Sequence, residues 1–140
     1  MKVLLAVDGS KFTEHATHYV LTHLKQLGAD LDLSLMHVNV PLPAHVASAL
    51  GKDSIQHYYQ EESQNAMMTA RKLLDQNAVK YHEVIGKGEP GEEIARYAEA
   101  HKFDLVIIGS KGHGALHNLV LGSTVNKVLA ACAVPVLIIR

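Results

Sequence analysis

The stretch from Leu105 to Thr124 decides the interpretation of the fold. It reads Leu105-Val-Ile-Ile-Gly109-Ser-Lys-Gly112-His-Gly114-Ala-Leu-His-Asn-Leu-Val-Leu-Gly122-Ser123-Thr124. The apolar run at its start is typical of a strand that is buried on both faces. Four of the ten glycines lie between Gly109 and Gly122, and an apolar stripe then predicts a helix over residues 123–131. A buried strand, a loop and a helix in this order favour a parallel α/β sheet.

The same alternation of strand and helix patterns runs along the whole chain. Strands are predicted over residues 3–7, 31–38, 80–85, 105–108 and 134–139, and helices over residues 10–27, 55–77, 90–101 and 123–131. This pattern predicts a three-layer α/β/α fold with an open, parallel, five-stranded sheet. The segment from Asn39 to Ser54 contains two prolines and a glycine, and we expect a long, mobile loop there.

Length and composition limit the possible classes of protein. The 140 residues fit one domain over residues 1–140, and a net charge of -1 gives no electrostatic reason to expect nucleic acid or anionic lipid as a partner. The N-terminal apolar run ends at Asp8 and is too short for a signal peptide, and no run is long enough to insert into a membrane. The single cysteine, Cys132, excludes an intrachain disulfide and is compatible with a reducing compartment. We therefore expect a cytoplasmic protein.

The glycine-rich loop has the chemistry of a phosphate site. Glycines allow close approach of a ligand to the backbone, and unpaired amides at a helix start attract anions. Ser123 is expected to cap the last long helix and to reach a phosphate oxygen, and Lys111 adds a positive charge. The Walker pattern Gly-x-x-x-x-Gly-Lys-Ser/Thr does not occur in the chain. The dinucleotide fingerprint is incomplete, because His117 stands where it needs a third glycine after Gly112 and Gly114.

Asp8 follows the first predicted strand, in the segment Ala6-Val7-Asp8-Gly9-Ser10. Ligands in open α/β sheets bind beyond the carboxyl ends of the strands, so Asp8 and Gly109 face one crevice if their strands are neighbours. The carboxylate then binds ribose hydroxyls or a Mg²⁺ ion. The alternative is that Asp8 only caps the helix that follows.

These motifs together resemble the universal stress protein family over the whole chain. Gly109, Gly112, Gly122 and Ser123 match the spacing of its nucleotide signature, and the segments Val7-Asp8-Gly9-Ser10, His37-Val38 and Val134-Pro135-Val136 match as well. The resemblance implies the strand order 3-2-1-4-5 of an adenine nucleotide α-hydrolase-like, Rossmann-like fold. It also implies a stress-response module that regulates other proteins, with a homodimer formed through the C-terminal strand from Val134 to Arg140.

The resemblance implies a site for ATP, or for AMP or ADP, and the Asp8 carboxylate is the candidate group for an accompanying Mg²⁺ ion. Backbone groups near Ala6 and Val38 would hold adenine, Asp8 would meet ribose, and the glycine loop would hold the phosphates. The candidate cofactor-binding residues are Ala6, Val7, Asp8, Val38, Gly109, Ser110, Lys111, Gly112, His113, Gly122, Ser123 and Thr124. No role passes from the family to Lys111 or His113, which stand at variable positions of the loop.

Two other functions remain open at this point. One is a slow ATPase or autokinase at the same site, for which Asp8, Lys111 and His113 are the only candidate groups, none of them in a recognised catalytic pattern. The other is a protein-interaction module whose loop binds no nucleotide. His113 and His117 have the spacing of a helical zinc pair but lie in a loop without a neighbouring acid or cysteine, so we do not predict a metal there.

Overall fold

The computed structural model describes residues 1–114 and 116–140. The sheet contains the strands β1 (Lys2–Ala6), β2 (Asp32–Asn39), β3 (His82–Lys87), β4 (Leu105–Gly109) and β5 (Val136–Ile139). The helices are α1 (Lys11–Tyr19), α2 (Ala44–Ala49), α3 (Lys52–Gln76), α4 (Pro90–Ala100) and α5 (Ser123–Ala131). The boundaries of the long elements agree with the sequence prediction to within about three residues, except where α1 changes its winding.

All five strands are parallel, and their order is β3-β2-β1-β4-β5, which confirms the predicted topology. The central strand β1 pairs with β2 on one side and β4 on the other, so Leu5 lies between Leu35 and Ile107. Because β1 and β4 are parallel neighbours, Gly109 at the end of β4 and Asp8 just after β1 lie at the same carboxyl end of the sheet.

The sheet separates two apolar cores, one on each face. Alternate residues of β1 supply them: Leu5 is buried against α1 and α3, whereas Leu4 is buried against α4 and α5. Both side chains are fully inaccessible to solvent. Burial of a leucine side chain contributes roughly 1.5–3 kcal/mol, so these two layers hold the ends of the strands in place.

The segment between β2 and α3 differs from the prediction. A long, mobile loop was expected over residues 39–54, but β2 extends to Asn39, the short helix α2 covers Ala44–Ala49, and α3 begins at Lys52. Pro43 occupies the N-cap position of α2, where its missing amide costs no hydrogen bond. The expectation of an irregular loop was therefore wrong for this part. The prediction gave more weight to the two prolines than to the alanines, which favour a helix.

Two further details differ from the sequence prediction. The first helix is α-helical only to Tyr19 and continues as a π-helical turn (Val20–Leu24) and a 3-10 turn (Lys25–Asp30), in which Gly28 has a φ of 55°. Leu129 was expected on the buried stripe of α5 but is exposed. Cys132 was expected in the core but is half-buried, and burial raises the pKa of its thiol.

Among residues 1–114 and 116–140, no helix has the length and apolar character that crossing a membrane requires. The cytoplasmic location stays a prediction.

Candidate functional site

A cavity of about 440 Å³ opens at the carboxyl ends of β1, β2 and β4. This volume lies within the range of roughly 300–1,000 Å³ that is usual for small-molecule sites. Every candidate residue from the sequence lines the cavity except Ser110. The cavity also contains residues that the sequence argument did not include, namely Thr13, Met36, His37, Val40, Glu62, Pro90, Ile94, Ile108, Gly114, Leu119 and Val125.

The Asp8 carboxylate is divided between a structural role and the cavity. Its Oδ1 accepts hydrogen bonds from the Ser10 amide at 2.9 Å and from the Thr13 hydroxyl at 3.0 Å. The Thr13 hydroxyl oxygen in turn accepts from the amides of Asp8 and Gly9, at 3.0 and 3.2 Å. Within the described residues no donor bonds to Oδ2, so one oxygen positions the turn and the other is available at the cavity.

The alternative interpretation, that Asp8 only caps α1, does not describe this arrangement, because Oδ1 closes the turn before the helix. Ser10 occupies the N-cap position of α1 without a capping bond from its own side chain, and Asp8 bonds to the Ser10 amide. The sequence analysis did not predict a role for Thr13, because its hydroxyl reaches Asp8 and Gly9 only when residues 11–19 are helical. The threonine five residues after Asp8 was the available sequence signal.

Gly112 brings the loop directly over Asp8. A Cβ atom at this position would lie 2.6 Å from Asp8 Oδ2. Only a residue without a side chain permits this approach, since heavy atoms do not come that close without a hydrogen bond. The second glycine of the signature therefore shapes the part of the cavity that contains the carboxylate.

Gly109 and Gly122 allow close packing within the protein. A Cβ at Gly109 would lie 2.5 Å from Cβ of Phe12 and 3.1 Å from its backbone, so this glycine lets α1 contact β4. A Cβ at Gly122 would lie 3.3 Å from Cα of Lys111 and 3.5 Å from the Ser110 carbonyl oxygen. We expected these glycines to open the backbone to a ligand. Both also allow one part of the protein to approach another, and both line the cavity, so their role toward a ligand stays a prediction.

The start of α5 differs in detail from the prediction. Gly122, and not Ser123, occupies the N-cap position, with φ −74° and ψ 164°. The Asn126 amide is the first to bond within the helix, to the Gly122 carbonyl at 3.1 Å. The amides of Ser123, Thr124 and Val125 therefore have no acceptor within the helix, and all three residues line the cavity. These amides lie at the positive end of the helix dipole and attract anions.

Ser110 supports the loop from below and does not face the cavity. Its amide donates to the Ile139 carbonyl at 2.6 Å, and its carbonyl accepts from the Gly122 amide at 2.7 Å. The side chain is buried. The expected direct contact with a ligand is therefore not favoured for Ser110, because both its backbone groups join β5 and the α5 start to the loop.

Two histidines at the cavity bond to backbone carbonyls. His37 Nδ1 donates to the Val7 carbonyl at 3.0 Å, which agrees with the prediction of a satisfied polar residue. His113 Nε2 donates to the Asp8 carbonyl at 2.9 Å and so ties the glycine loop to the β1 end. Within residues 1–114 and 116–140, no group of three or more His, Cys, Asp or Glu residues is arranged to hold a metal ion.

Comparison with known sequences agrees with the motif. The family model described as the Universal stress protein family matches residues 1–140. The chain is similar to the universal stress protein MJ0531 of Methanocaldococcus jannaschii, with 29% identity over 99% of this chain and 81% of the relative. It is also similar to the universal stress protein YxiE of Bacillus subtilis, with 28% identity over 99% of this chain and 98% of the relative.

Several solved structures have the same fold as this chain over nearly its whole length. The universal stress protein UspA from Lactobacillus plantarum matches with a TM-score of 0.82 and 21% identity, over 99% of this chain and 97% of that chain. The universal stress protein from Archaeoglobus fulgidus in complex with dAMP matches with a TM-score of 0.69 and 19% identity, over 100% and 98% of the two chains. A family protein from Arabidopsis thaliana with AMP bound matches with a TM-score of 0.69 and 16% identity, over 99% and 91%.

The whole-chain family match agrees with the parallel sheet in the order β3-β2-β1-β4-β5 and with the glycine spacing. The chain belongs to the universal stress protein family.

Proposed function

We propose that the cavity binds an adenine nucleotide, most simply ATP, and that residues 1–140 act as a single nucleotide-binding regulatory domain. One observation carries this proposal. The open oxygen of Asp8, the close approach of Gly112 and the unpaired amides at the start of α5 all border the same cavity. A carboxylate beside a group of amide donors suits a molecule with hydroxyl groups next to phosphates.

The two sides of the cavity suit the two halves of a nucleotide. Apolar side chains of Met36, Val38 and Ile94 line one part and provide a surface for a planar base. Ser123 and Thr124 also line the cavity, and a phosphate beside their amides would gain hydrogen bonds and the favourable end of the helix dipole. Backbone groups near Ala6 and Val38 are the proposed contacts of the base, and Oδ2 of Asp8 is the proposed acceptor for ribose hydroxyls.

Lys111 is the proposed neutraliser of phosphate charge. It is half-buried at the cavity wall, and no carboxylate of the described residues lies within 4.0 Å of its ammonium group. A lysine positioned in this way contributes mainly as a mobile positive charge. His113 is proposed to hold the loop through its bond to the Asp8 carbonyl rather than to contact the nucleotide.

Relatives with bound nucleotides support adenine as the base. Proteins of this fold are known in complex with dAMP, cAMP and AMP. They differ in their phosphates but share adenine, so recognition of the base is the common element. ATP rather than AMP or ADP is our proposal for this chain, because the amides at the α5 start and Lys111 together provide donors for more than one phosphate.

The residues around Asp8 also fit a Mg²⁺ ion that accompanies the nucleotide. Magnesium is usually held by one or two carboxylates together with substrate phosphates and water. As the alternative to its ribose contact, Oδ2 of Asp8 offers one such carboxylate oxygen, and the group of ligands needed for a purely protein-bound ion is absent from the described residues. The ion would neutralise phosphate charge, and its affinity would depend on the nucleotide.

A homodimer formed through β5 is the proposed assembly. β5 lies at one edge of the sheet, and its four residues, Val136 to Ile139, are apolar and half-buried. An apolar edge strand needs a cover, and a second copy of the same strand provides one. Nucleotide occupancy would then reach β5 through Ser110, which bonds both to Ile139 and to Gly122.

Titration calorimetry with MgATP and with AMP tests the proposed site. Wild-type protein is expected to bind at least one of them, whereas Gly112→Ala is expected to bind about tenfold more weakly, because the added methyl displaces the Asp8 carboxylate. Gly51→Ala is the matched control, since a Cβ there meets nothing within 4 Å and Gly51 does not line the cavity. Absence of binding by wild-type protein at millimolar nucleotide would overturn the proposal.

A slow ATPase or autokinase is the second candidate function. Glu62 of α3 gives the cavity a second carboxylate, which is the type of group that serves as a base toward water or a hydroxyl. Phosphate release and intact mass after incubation with ATP distinguish this activity from simple binding. If Glu62→Gln lowers the turnover but leaves the nucleotide affinity unchanged, the activity belongs to this site. No turnover above a heat-inactivated control leaves the binding module.

A further inference from the structure

The edge strand β3 presents a free backbone edge and one uncovered apolar side chain. Within the described sheet, β3 pairs only with β2, and its other edge has no strand beside it. Edge strands expose unpaired N–H and C=O groups that pair readily with another extended segment. Ile85 is 55% exposed on this strand, although β3 otherwise carries charged or half-buried residues.

The two faces of β3 are well separated. Val84 packs against the core formed with α4 and α5, and a Cβ at Gly86 would lie 3.2 Å from Cε of Met36 in the same core. Ile85 and Lys87 lie on the opposite face, toward α3, where the Lys87 ammonium lies 4.7 Å from the centre of the Tyr59 ring. A strand added beside β3 would follow the same alternation, so its own residues two positions apart would meet Ile85 and Lys87.

A groove of about 390 Å³ lies between this face of β3 and the N-terminal half of α3. Ile55 and Ile85 supply its apolar surface, and its charged lining residues are Lys52 and Lys87. Within residues 1–114 and 116–140, no carboxylate lies within 4.0 Å of either lysine. The groove therefore combines an apolar surface with an uncompensated positive charge.

The acidic residue on the same face of β3 does not neutralise this charge. Glu83 binds the Arg71 guanidinium through both oxygens, at 2.6 and 2.7 Å. Because its partner is already fixed, Glu83 leaves the two lysines available for an acidic group from outside.

Asn39 adds a polar requirement at the groove. This residue is 7% exposed, and its Nδ2 donates to the Ser63 hydroxyl at 2.9 Å. Its Oδ1 is buried and accepts no hydrogen bond from the described residues. Buried acceptors in folded proteins almost always have a donor, so an N–H group that enters the groove would fill this need.

We propose that the β3 edge and this groove bind an extended segment of a partner protein that carries an apolar and an acidic residue two positions apart. The apolar side chain lies on Ile85, the acidic side chain meets Lys87 and Lys52, and backbone groups of the segment pair with the free edge of β3. The groove shares no lining residue with the nucleotide cavity, so this interaction stands independently of nucleotide binding.

Amide NMR spectra of the full chain, recorded during titration with two synthetic peptides, test the proposal. One peptide repeats threonine-valine-threonine-aspartate, which puts valine and aspartate on one face of a strand. The other repeats valine-aspartate-threonine-threonine, which has the same composition with the two on opposite faces. We expect the first peptide to bind about fivefold more tightly and to shift amides of residues 52–60 and 82–88.

Charge variants show whether the groove itself is responsible. Lys87→Glu and Lys52→Glu are each expected to weaken binding of the first peptide about fivefold, because an attraction becomes a repulsion. Lys72→Glu is the matched control, since Lys72 is an exposed lysine of α3 outside the groove. All three positions are exposed, and thermal unfolding curves verify that the variants fold.

Three results would overturn the proposal. The first is equal affinity for the two peptides. The second is an equal loss of affinity in Lys72→Glu and Lys87→Glu, which would reduce the effect to overall charge. The third is self-association of the chain that Ile85→Thr abolishes, with no amide shifts specific to the first peptide. In that case the partner at the β3 edge would be a second copy of this chain.

Discussion

Gly109 and Gly112 belong to one sequence signature but lie in two different kinds of region. At Gly109 the chain is still in the sheet, and the missing side chain makes room for Phe12 of α1. At Gly112 the chain has left the sheet, and the missing side chain makes room for the Asp8 carboxylate at the cavity. One glycine thus serves the packing of the fold, and the other serves the shape of the site.

This difference shows that the spacing of a motif predicts where its residues lie better than it predicts what each residue does. Gly122, the next glycine of the signature, also packs against backbone, namely Lys111 and Ser110. A valine at Gly122 would therefore disturb the loop together with any ligand, so this substitution does not separate the two effects. Replacements at Gly109 and Gly112 separate them better.

The largest effect is expected at Gly109. Gly109→Ala places a methyl 2.5 Å from Cβ of Phe12 and 3.1 Å from its backbone, and β4 cannot move without disturbing the centre of the sheet. We expect the free energy of unfolding to fall by about 3 kcal/mol, as overpacking does in well-packed cores. Urea unfolding measures it. The open position Gly51→Ala should lose less than about 1 kcal/mol, and an equal loss at both positions would contradict the packing role.

Asp8 connects the two regions, and two substitutions divide its roles. Asp8→Ala removes the acceptor of the Ser10 amide and the Thr13 hydroxyl, and we expect a loss of about 2 kcal/mol in unfolding free energy. Asp8→Asn keeps an oxygen at the Oδ1 position and is expected to lose under about 1 kcal/mol. Denaturant unfolding measures both losses. Calorimetry should show that the two variants lose MgATP affinity alike, by about tenfold.

The opposite result for Asp8 is equally informative. If Asp8→Asn binds MgATP as well as wild-type protein does, the negative charge has no part in the site. Asp8 would then only stabilise the turn, as Thr13 does. Gly112 would then, like Gly109, serve packing and not a binding site.

The smallest effect is expected where α4 meets α5, at another contact that a glycine makes possible. A Cβ at Gly91 would lie 2.5 Å from Cβ of Lys127, and the Lys127 ammonium lies 3.1 Å from Glu89. Burial opposes ionisation of Glu89, but bonds from the Glu92 amide and Lys127 outweigh it and lower the pKa of the carboxyl below its ordinary value of 4.5. Glu89→Gln is expected to cost about 0.5 kcal/mol at neutral pH.

The pH dependence of this contribution has a definite sign. Because the pKa of Glu89 is lower in the folded state, its stabilising effect is present above the unfolded value of 4.5 and is lost as the pH falls through the folded value. Thermal unfolding of wild type and Glu89→Gln at pH 7 and at acidic pH measures the difference. A gap between them that persists in acid would assign the effect to packing instead.

The sequence predicted the sheet and the place of the site, because both depend on local patterns. Apolar runs and helical stripes gave the element order, and the family resemblance gave the strand order, which brings Asp8 and Gly109 to one crevice. The partners from distant segments, such as Glu62 of α3 and Ile94 of α4, were not predicted. Nothing in their local sequence marks them, since their presence at the cavity depends on how two helices pack.

Two errors have a more local cause. Leu129 lies one residue after the buried Val128, so its side chain points about 100° further around α5, and it is exposed. Ser110 was assigned to the ligand because it lies between glycines, but its backbone groups were already needed by Ile139 and Gly122. A neighbour in sequence is not always a neighbour of the ligand, because successive residues of an extended chain point in opposite directions.

The bond between Thr13 and Asp8 has a consequence for the energetics of association. A carboxylate with one oxygen fixed by two donors has already lost its side-chain rotation when the chain folds. A ligand that later meets the other oxygen need not freeze that motion again, so less of its interaction energy is spent on ordering. Removal of the Thr13 hydroxyl should therefore weaken association through an unfavourable entropy change, although Thr13 Oγ1 need not touch the ligand.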